Sequence, residues 1–386
     1  MNRETEALYN ERRQIFEDIF DGRIPKRIPI NVGVLTSEFA TEYAGIDLMK
    51  AQYDMTLMGE AFQKVCKDFN DSDIFPVYTS RLAGGYQILE AKNFVMGSNG
   101  VIQHPEVVGM QAEDYDYLIE KPFDCLVERV LPTHYQALAG SKFQAAAAFT
   151  KYVAYSGRQF GVLGGYEAEL MDQYGFYECQ PAASSAAPFD FLADQLRGFR
   201  EINMDIRRRG KKVLEACEAL TPLLIRFGLS RGGGPYGYVG ICLHMAPYLN
   251  VKHFEKYYWP SFKKLMEGLE AGGQRGLLFL ENDWTPHLDK LKELPAGTIM
   301  RFEYGDPRQI KDTLGDKHII SGLYPISLLK TGTKQACVDK AKELMDILAP
   351  GGKYFFNFDK EIISLNSINV DNYHAVLKCV KENGVY

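Results

Sequence analysis

From about residue 188 to the end, the chain alternates helical and strand-like stretches at close intervals, and this alternation restricts the fold more than any other feature. Helical periodicity covers 188–208, 211–227, 251–269, 286–294, 307–314, 334–348 and 370–381, while short apolar runs at 238–243, 276–280, 298–302, 318–321 and 354–358 read as strands. Repeated βα units with short connections imply a parallel sheet with helices outside it. So many consecutive units, with no linker between them, are accounted for better by a closed barrel than by an open sheet. The expected fold is α/β, a distorted (β/α)8 TIM barrel with an N-terminal helical extension and inserted cap segments.

The first half fits the same plan less regularly. Leu8, Ile15, Phe16, Ile19 and Phe20 fall at helical spacing, so 4–20 is expected to form an amphipathic helix that Gly22 ends. The proline-bearing run from Ile24 to Ile30 is an extended lead into a first strand, which makes 1–30 a helix plus the approach to the barrel. Short β-like pieces at 73–78 and 94–96 alternate with helical stretches such as 114–128, and the region from about 80 to 180 reads as an irregular insertion. One barrel domain over 1–386 is the expected organisation.

Composition narrows the function. Hydrophobic residues at 46% and charged residues at 24% are globular values, and a net charge of −6 argues against nucleic acid as a main partner. The basic run from Arg207 to Lys212 ends an apparent helix, where cations favour the dipole, so it reads as a solvated terminus. No apolar run has the roughly 18 residues that a membrane helix needs, and the first residues lack a signal-peptide core, so no membrane role and a cytoplasmic location are expected. Seven scattered cysteines form no disulfide framework. No dinucleotide fingerprint, phosphate loop or nucleophile elbow is found, and the glycines at 232–234 read as a mobile active-site loop.

Chemistry-bearing residues stand at the ends of the strands, where an α/β barrel places its active site. The run Gly276-Leu-Leu-Phe-Leu-Glu-Asn-Asp283 passes from an apolar strand into two carboxylates; the others end in Cys242-Leu-His244, in Glu303 followed by Asp306, and in Asn357-Phe-Asp359. Side chains two apart on a strand point the same way, which pairs Cys242 with His244 and Glu281 with Asp283. A His, a Glu and a further Cys, Asp or Glu from separate strands would make a three-ligand zinc site with an open position. The metal candidates are therefore His244, Glu281, Glu303, Cys242 and Asp359, and the catalytic candidates Glu281, His244 and Asp283. The competing readings are a core histidine at 244, a small buried hydrophobe at Cys242, and helix caps at Glu281, Asp283, Asp306 and Asp190. Tyr78, Phe189, Phe191, Tyr238 and Trp284 are candidates to line a pocket for an aromatic or apolar substrate.

Several stretches share a pattern: Ile19-Phe-Asp-Gly-Arg-Ile-Pro-Lys-Arg-Ile-Pro-Ile30, Pro188-Phe-Asp-Phe191 leading to Leu196-Arg-Gly198 and Met204-Asp205, Phe254 to Pro260, Leu314-Gly-Asp316, Gly322, Leu329-Lys-Thr-Gly-Thr333, Ala349-Pro-Gly-Gly352 and the closing Asn383-Gly-Val-Tyr386. In this order the chain resembles the uroporphyrinogen decarboxylase superfamily, which includes zinc-dependent methyltransferases that work with corrinoid proteins or thiol acceptors. The resemblance covers nearly the whole chain and implies a distorted (β/α)8 barrel, zinc, a cobalamin-bearing carrier protein as partner and, as is usual among similar proteins, a homodimer. Asp73 looks like the family's acidic residue, but the arginine motif with which the decarboxylase grips carboxylates is missing from 31–38. The His-x-Cys pair of the methyltransferase branch aligns with Phe279 and Glu281, and its later cysteine falls near 359–361. A harder site with Glu281 and His244 would be a stronger Lewis acid toward an ether oxygen. The resemblance therefore implies methyl transfer from an O-methyl group, as of a methoxylated aromatic, to a corrinoid protein. The alternatives are a cofactor-free decarboxylase, for which Arg81, Arg197 and Arg231 are the arginine candidates, and a barrel that only binds a small molecule or cobalamin.

Overall fold

The computed structural model describes residues 1–79 and 81–386. Its parallel strands are β1 (Leu35–Thr36), β2 (Val77–Tyr78), β3 (Ala182–Ala186), β4 (Tyr238–Leu243), β5 (Arg275–Asp283), β6 (Ile299–Tyr304), β7 (Ile319–Gly322) and β8 (Tyr354–Phe355). Strands β3 to β8 pair in chain order as one six-stranded sheet, and β1 pairs with β2. Parallel bridges close the ring. Ile30 meets Phe356 and Leu35 meets Ile362 on one side, and Ile74 meets Tyr177 on the other. The chain thus forms the (β/α) barrel expected of it.

Alternation along the strands sorts the apolar residues into two layers. Val239, Ile241, Leu243, Leu278, Leu280, Met300, Phe302 and Ile320 belong to the large core between the sheet and the helices. Tyr177, Cys179, Ile299, Ile319 and Phe355 form a second, smaller cluster with Ile15, Phe16 and Ile19. Only the barrel interior can gather residues from so many strands, so the helix Arg3–Phe20 plugs the barrel from below. Phe16 lies 5.0 Å from the Phe355 ring and 5.4 Å from the Tyr177 ring.

At this closed end, Asp73 accepts bonds of 2.7 Å from both terminal nitrogens of Arg27 and from the Ile30 amide, with Arg12 of the plug 3.4 Å away. All three charged groups are buried. Three hydrogen bonds and two facing guanidinium groups thus offset the burial of the Asp73 carboxylate.

The region between β2 and β3 holds a small hairpin, Val95–Met96 with Ile102–Gln103, and the 33-residue helix Lys142–Tyr174. Ser141 and Gln144 cap that helix reciprocally, and Gly175, in the left-handed region at φ 64°, ends it. The expected continuous helix over 188–208 is instead Pro188–Phe191, a wider turn at Leu192–Arg197 and a helix Phe199–Arg208 separated by Gly198 at φ 78°. The Gly232–234 loop precedes β4, so it lies at the closed end with the plug, tied to Gln274 by a 2.8 Å bond. It is not an active-site loop.

Candidate active site

Strands β4 and β5 carry the site because their inward-facing positions run out of apolar residues at the open end of the barrel. On β4 the alternate residues Val239, Ile241 and Leu243 are buried against helices, which turns Cys242 and His244 to the barrel side. On β5 the same alternation buries Leu278 and Leu280 and turns Phe279 and Glu281 inward. One donor atom each from Cys242, His244 and Glu281 lies within 4.8 Å of the others. The imidazole Nε2 stands 3.2 Å from Glu281 Oε1. Two ligands bound to one zinc at about 2.0–2.1 Å in tetrahedral geometry stand roughly 3.3 Å apart, so this spacing fits a shared cation. Of the seven cysteines, Cys242 alone is exposed.

Two acids on the segment after β3 set the histidine. Asp194 Oδ2 lies 2.6 Å from His244 Nδ1, which holds a proton on Nδ1 and leaves Nε2 to face Cys242 and Glu281. Asp194, Cys242 and Glu281 together push the imidazole pKa far above its ordinary range, against the opposing effect of burial. Nε2 therefore carries a proton that a divalent cation would replace. Asp190 is buried and accepts from the Met245 amide at 2.9 Å, the His244 amide at 3.3 Å and the Tyr258 hydroxyl at 2.7 Å, which pins the end of β4. Burial, then the neighbouring Asp194, raise its carboxyl to about 7. Its position just inside the helix made it look like a cap; it instead fastens a strand end.

The other acids expected here go elsewhere. Asn282 takes φ 59° and the β5–β6 register shifts between Leu280 and Asp283, so the alternation that would have aligned Asp283 with Glu281 is broken. Asp283 instead accepts from the Thr285 amide at 2.9 Å. Glu303 is held by the Asn282 amide at 2.8 Å and by Lys360 at 2.7 Å. Asp359 is buried and accepts from the Ile326 amide at the start of the helix Ile326–Thr331. Asp283, Glu303 and Asp359 line a neighbouring open depression of about 520 Å³, outside the Cys242–His244–Glu281 cluster.

The aromatic candidates also divide. Phe189 and Trp284 are fully buried in the helical layer beside Tyr258, and Phe191 lines an outer groove with Leu223 and Phe227. Strong hydrophobicity draws them to that core, away from any ligand. Tyr78 and Tyr238 line a cavity of about 330 Å³ between β2 and β4. Of the arginine candidates for a decarboxylase, Arg197 is tied to Asp205 at 2.6 Å in the helical layer, Arg231 lies exposed on the loop before β4, and Arg81 stacks 4.7 Å from the Phe94 ring.

Three residues near the site were not among the candidates read from the sequence. Phe279 was signalled by its place two before Glu281, and Arg301 by being a lone charge inside the apolar strand at 298–302. Asp194 gave no signal, because only the wide turn after β3 brings it to His244.

The family model described as uroporphyrinogen decarboxylase (URO-D) matches residues 180–383, the stretch that contains β3 to β8 and every member of this cluster. The chain belongs to the uroporphyrinogen decarboxylase family. Among solved structures, a methyltransferase from Methanosarcina mazei is similar over 96% of this chain and 98% of its own, with a TM-score of 0.59 and 12% sequence identity. At that identity the likeness is one of fold. No curated protein matches the chain. No helix among the described residues of this URO-D family member is long and apolar enough to cross a membrane.

Proposed function

We propose that this URO-D family protein is a zinc-dependent methyltransferase that takes a methyl group from an O-methyl substrate, a methoxylated aromatic, and passes it to the corrinoid of a partner carrier protein. The observation that carries this reading is the meeting of Cys242, His244 and Glu281 at the open end of the barrel, with a mixed sulfur, nitrogen and oxygen donor set. Such a set suits zinc, and three protein ligands leave a position open for substrate. When bound there, zinc would act as a Lewis acid on the ether oxygen, so that a phenolate could leave.

The chain's own residues supply the rest. Asp194 keeps the proton on His244 Nδ1 and so presents the Nε2 lone pair to the cation. Asp190 fixes the backbone of His244 and Met245, which limits how far the ligand can drift. Phe279, the register partner of Cys242, offers aromatic surface inside the barrel next to this position. The methyltransferase fold likeness over almost the full chain is consistent with this activity.

Two measurements test it. Protein purified without added metal should hold close to one zinc per chain, and in an anaerobic assay it should methylate cob(I)alamin from a methoxyarene. Protein that is active without metal, or Glu281→Ala with full metal content and full activity, would remove the proposal.

A further inference from the structure

A groove of about 350 Å³ opens in the helical layer outside the barrel, and its lining is mostly apolar. Phe123 and Val127 come from the stretch that starts at Pro122, Phe191 from the segment after β3 and Phe227 from the helix Gly210–Gly228. Phe123 is 61% and Phe227 58% exposed, an apolar rim of the kind that marks a binding site. Asn93 and His134 also line the groove, and they are only 2% and 4% exposed. The Lys92 amide donates to the His134 carbonyl at 2.8 Å, which lays the two segments side by side. His134 Nε2 donates to the Gln195 carbonyl at 2.7 Å, so Nδ1 is left as an acceptor, and burial lowers the imidazole pKa and keeps the ring uncharged. Neither Nδ1 nor Asn93 Oδ1 has a partner among the described residues. Two unpaired acceptors in one apolar groove are costly unless something donates to both.

We infer that this groove is a second small-molecule site, which takes an uncharged aromatic diol with one hydroxyl donating to His134 Nδ1 and the other to Asn93 Oδ1. The inference goes beyond the methyl-transfer reading and does not depend on it, since no member of the Cys242–His244–Glu281 cluster lines the groove. Charge decides against an acid: a carboxylate has no proton to donate, and two acceptors would face it. An ammonium would supply donors, but no carboxylate is among the lining residues to balance its charge. Size decides the ring system. A dry cavity of about 150 Å³ holds one benzene, so a groove of about 350 Å³ has room for two fused rings with their hydroxyls. The phenylalanines offer ring faces and edges to them.

Equilibrium dialysis of the full chain, without oxygen, against 2,3-dihydroxynaphthalene and 2-naphthol tests the site. The diol should bind about fivefold more tightly, although its second hydroxyl makes it the less apolar of the two, since one more buried acceptor gains a donor. Asn93→Leu and His134→Phe should each remove that preference, because one acceptor is gone. Val127→Trp, at an exposed rim position, should block the groove and abolish binding of both compounds while the melting temperature stays that of the unaltered chain. If the Asn93 or His134 variant does not fold, the diol–naphthol comparison on the unaltered chain together with Val127→Trp decides. Equal or tighter binding of 2-naphthol, or no binding of either compound at millimolar concentration, would mean that buried water serves the two acceptors, and the inference falls. Diol binding that survives Val127→Trp would place the compound elsewhere, at the barrel mouth or on a metal there, and equally overturns the site. None of these outcomes bears on methyl transfer, which the cobalamin assay reads separately.

Discussion

Replacing Glu281 by Gln keeps the side-chain shape and removes one of the negative charges facing the proposed cation. Loss of a partner that only supports a ligand typically weakens metal binding about 10- to 100-fold, so loss of a ligand charge should reach at least the upper figure. Zinc at a thousandfold excess over its dissociation constant stabilises the native protein by about 4.1 kcal/mol, and a hundredfold weaker site leaves about 1.4 kcal/mol at the same zinc concentration. At roughly 2.1 cal/mol/K per residue, the 386 residues unfold with an entropy near 0.8 kcal/mol/K. Zinc should then raise the melting temperature of the unaltered protein by about 5 °C and that of Glu281→Gln by about 2 °C. The metal-free proteins should melt close together, because Glu281 is about a third exposed and its contact with His244 is partly screened. Differential scanning fluorimetry with chelator or with buffered zinc measures both. An undiminished zinc shift in Glu281→Gln, or no shift in the unaltered protein, would refute the assignment of Glu281 as a ligand.

Further outcomes follow from the same structure. Cys242 should be the one cysteine that reacts with iodoacetamide in the folded protein, and bound zinc should protect it; mass mapping that finds modification elsewhere, or no protection, counts against the cluster. Asp73→Asn should destabilise the barrel by about 3–5 kcal/mol in urea titration, because Arg12 and Arg27 then lose a buried counter-charge, while a loss below 1 kcal/mol would show that water takes its place. His318 is fully buried, and burial lowers its pKa from 6.5 to about 4. The unfolded chain binds that proton first, so His318 should leave stability intact above pH 6.5 and reduce it progressively as the pH falls toward 4, by about 3 kcal/mol in all. Urea midpoints at pH 7 and pH 4.5 should converge in His318→Leu relative to the unaltered protein.

The sequence carried the periodic information. Helices at 307–314 and 334–348 and strands near 276–280 and 298–302 were legible because burial imposes a repeat of 3.6 or 2 on residue choice, and the barrel follows from their order. The strand β3, Ala-Ala-Ser-Ser-Ala, escaped because it is built of small residues with no apolar repeat, and the 33-residue helix before it escaped because Gly157, Gly161, Gly164 and Gly165 blur its periodicity. His244, Cys242 and Glu281 could be proposed from strand ends alone. Whether they meet depends on where strands from separate parts of the chain lie relative to one another, and that is set by closure of the barrel. The same closure brought Asp194 to His244 from 50 residues away and made Arg301 and Ser321 register partners on β6 and β7. A left-handed Asn282, which no repeat announces, removed Asp283 from the group. Local residue choice fixes which elements form, whereas distances between side chains on different strands are properties of the closed sheet.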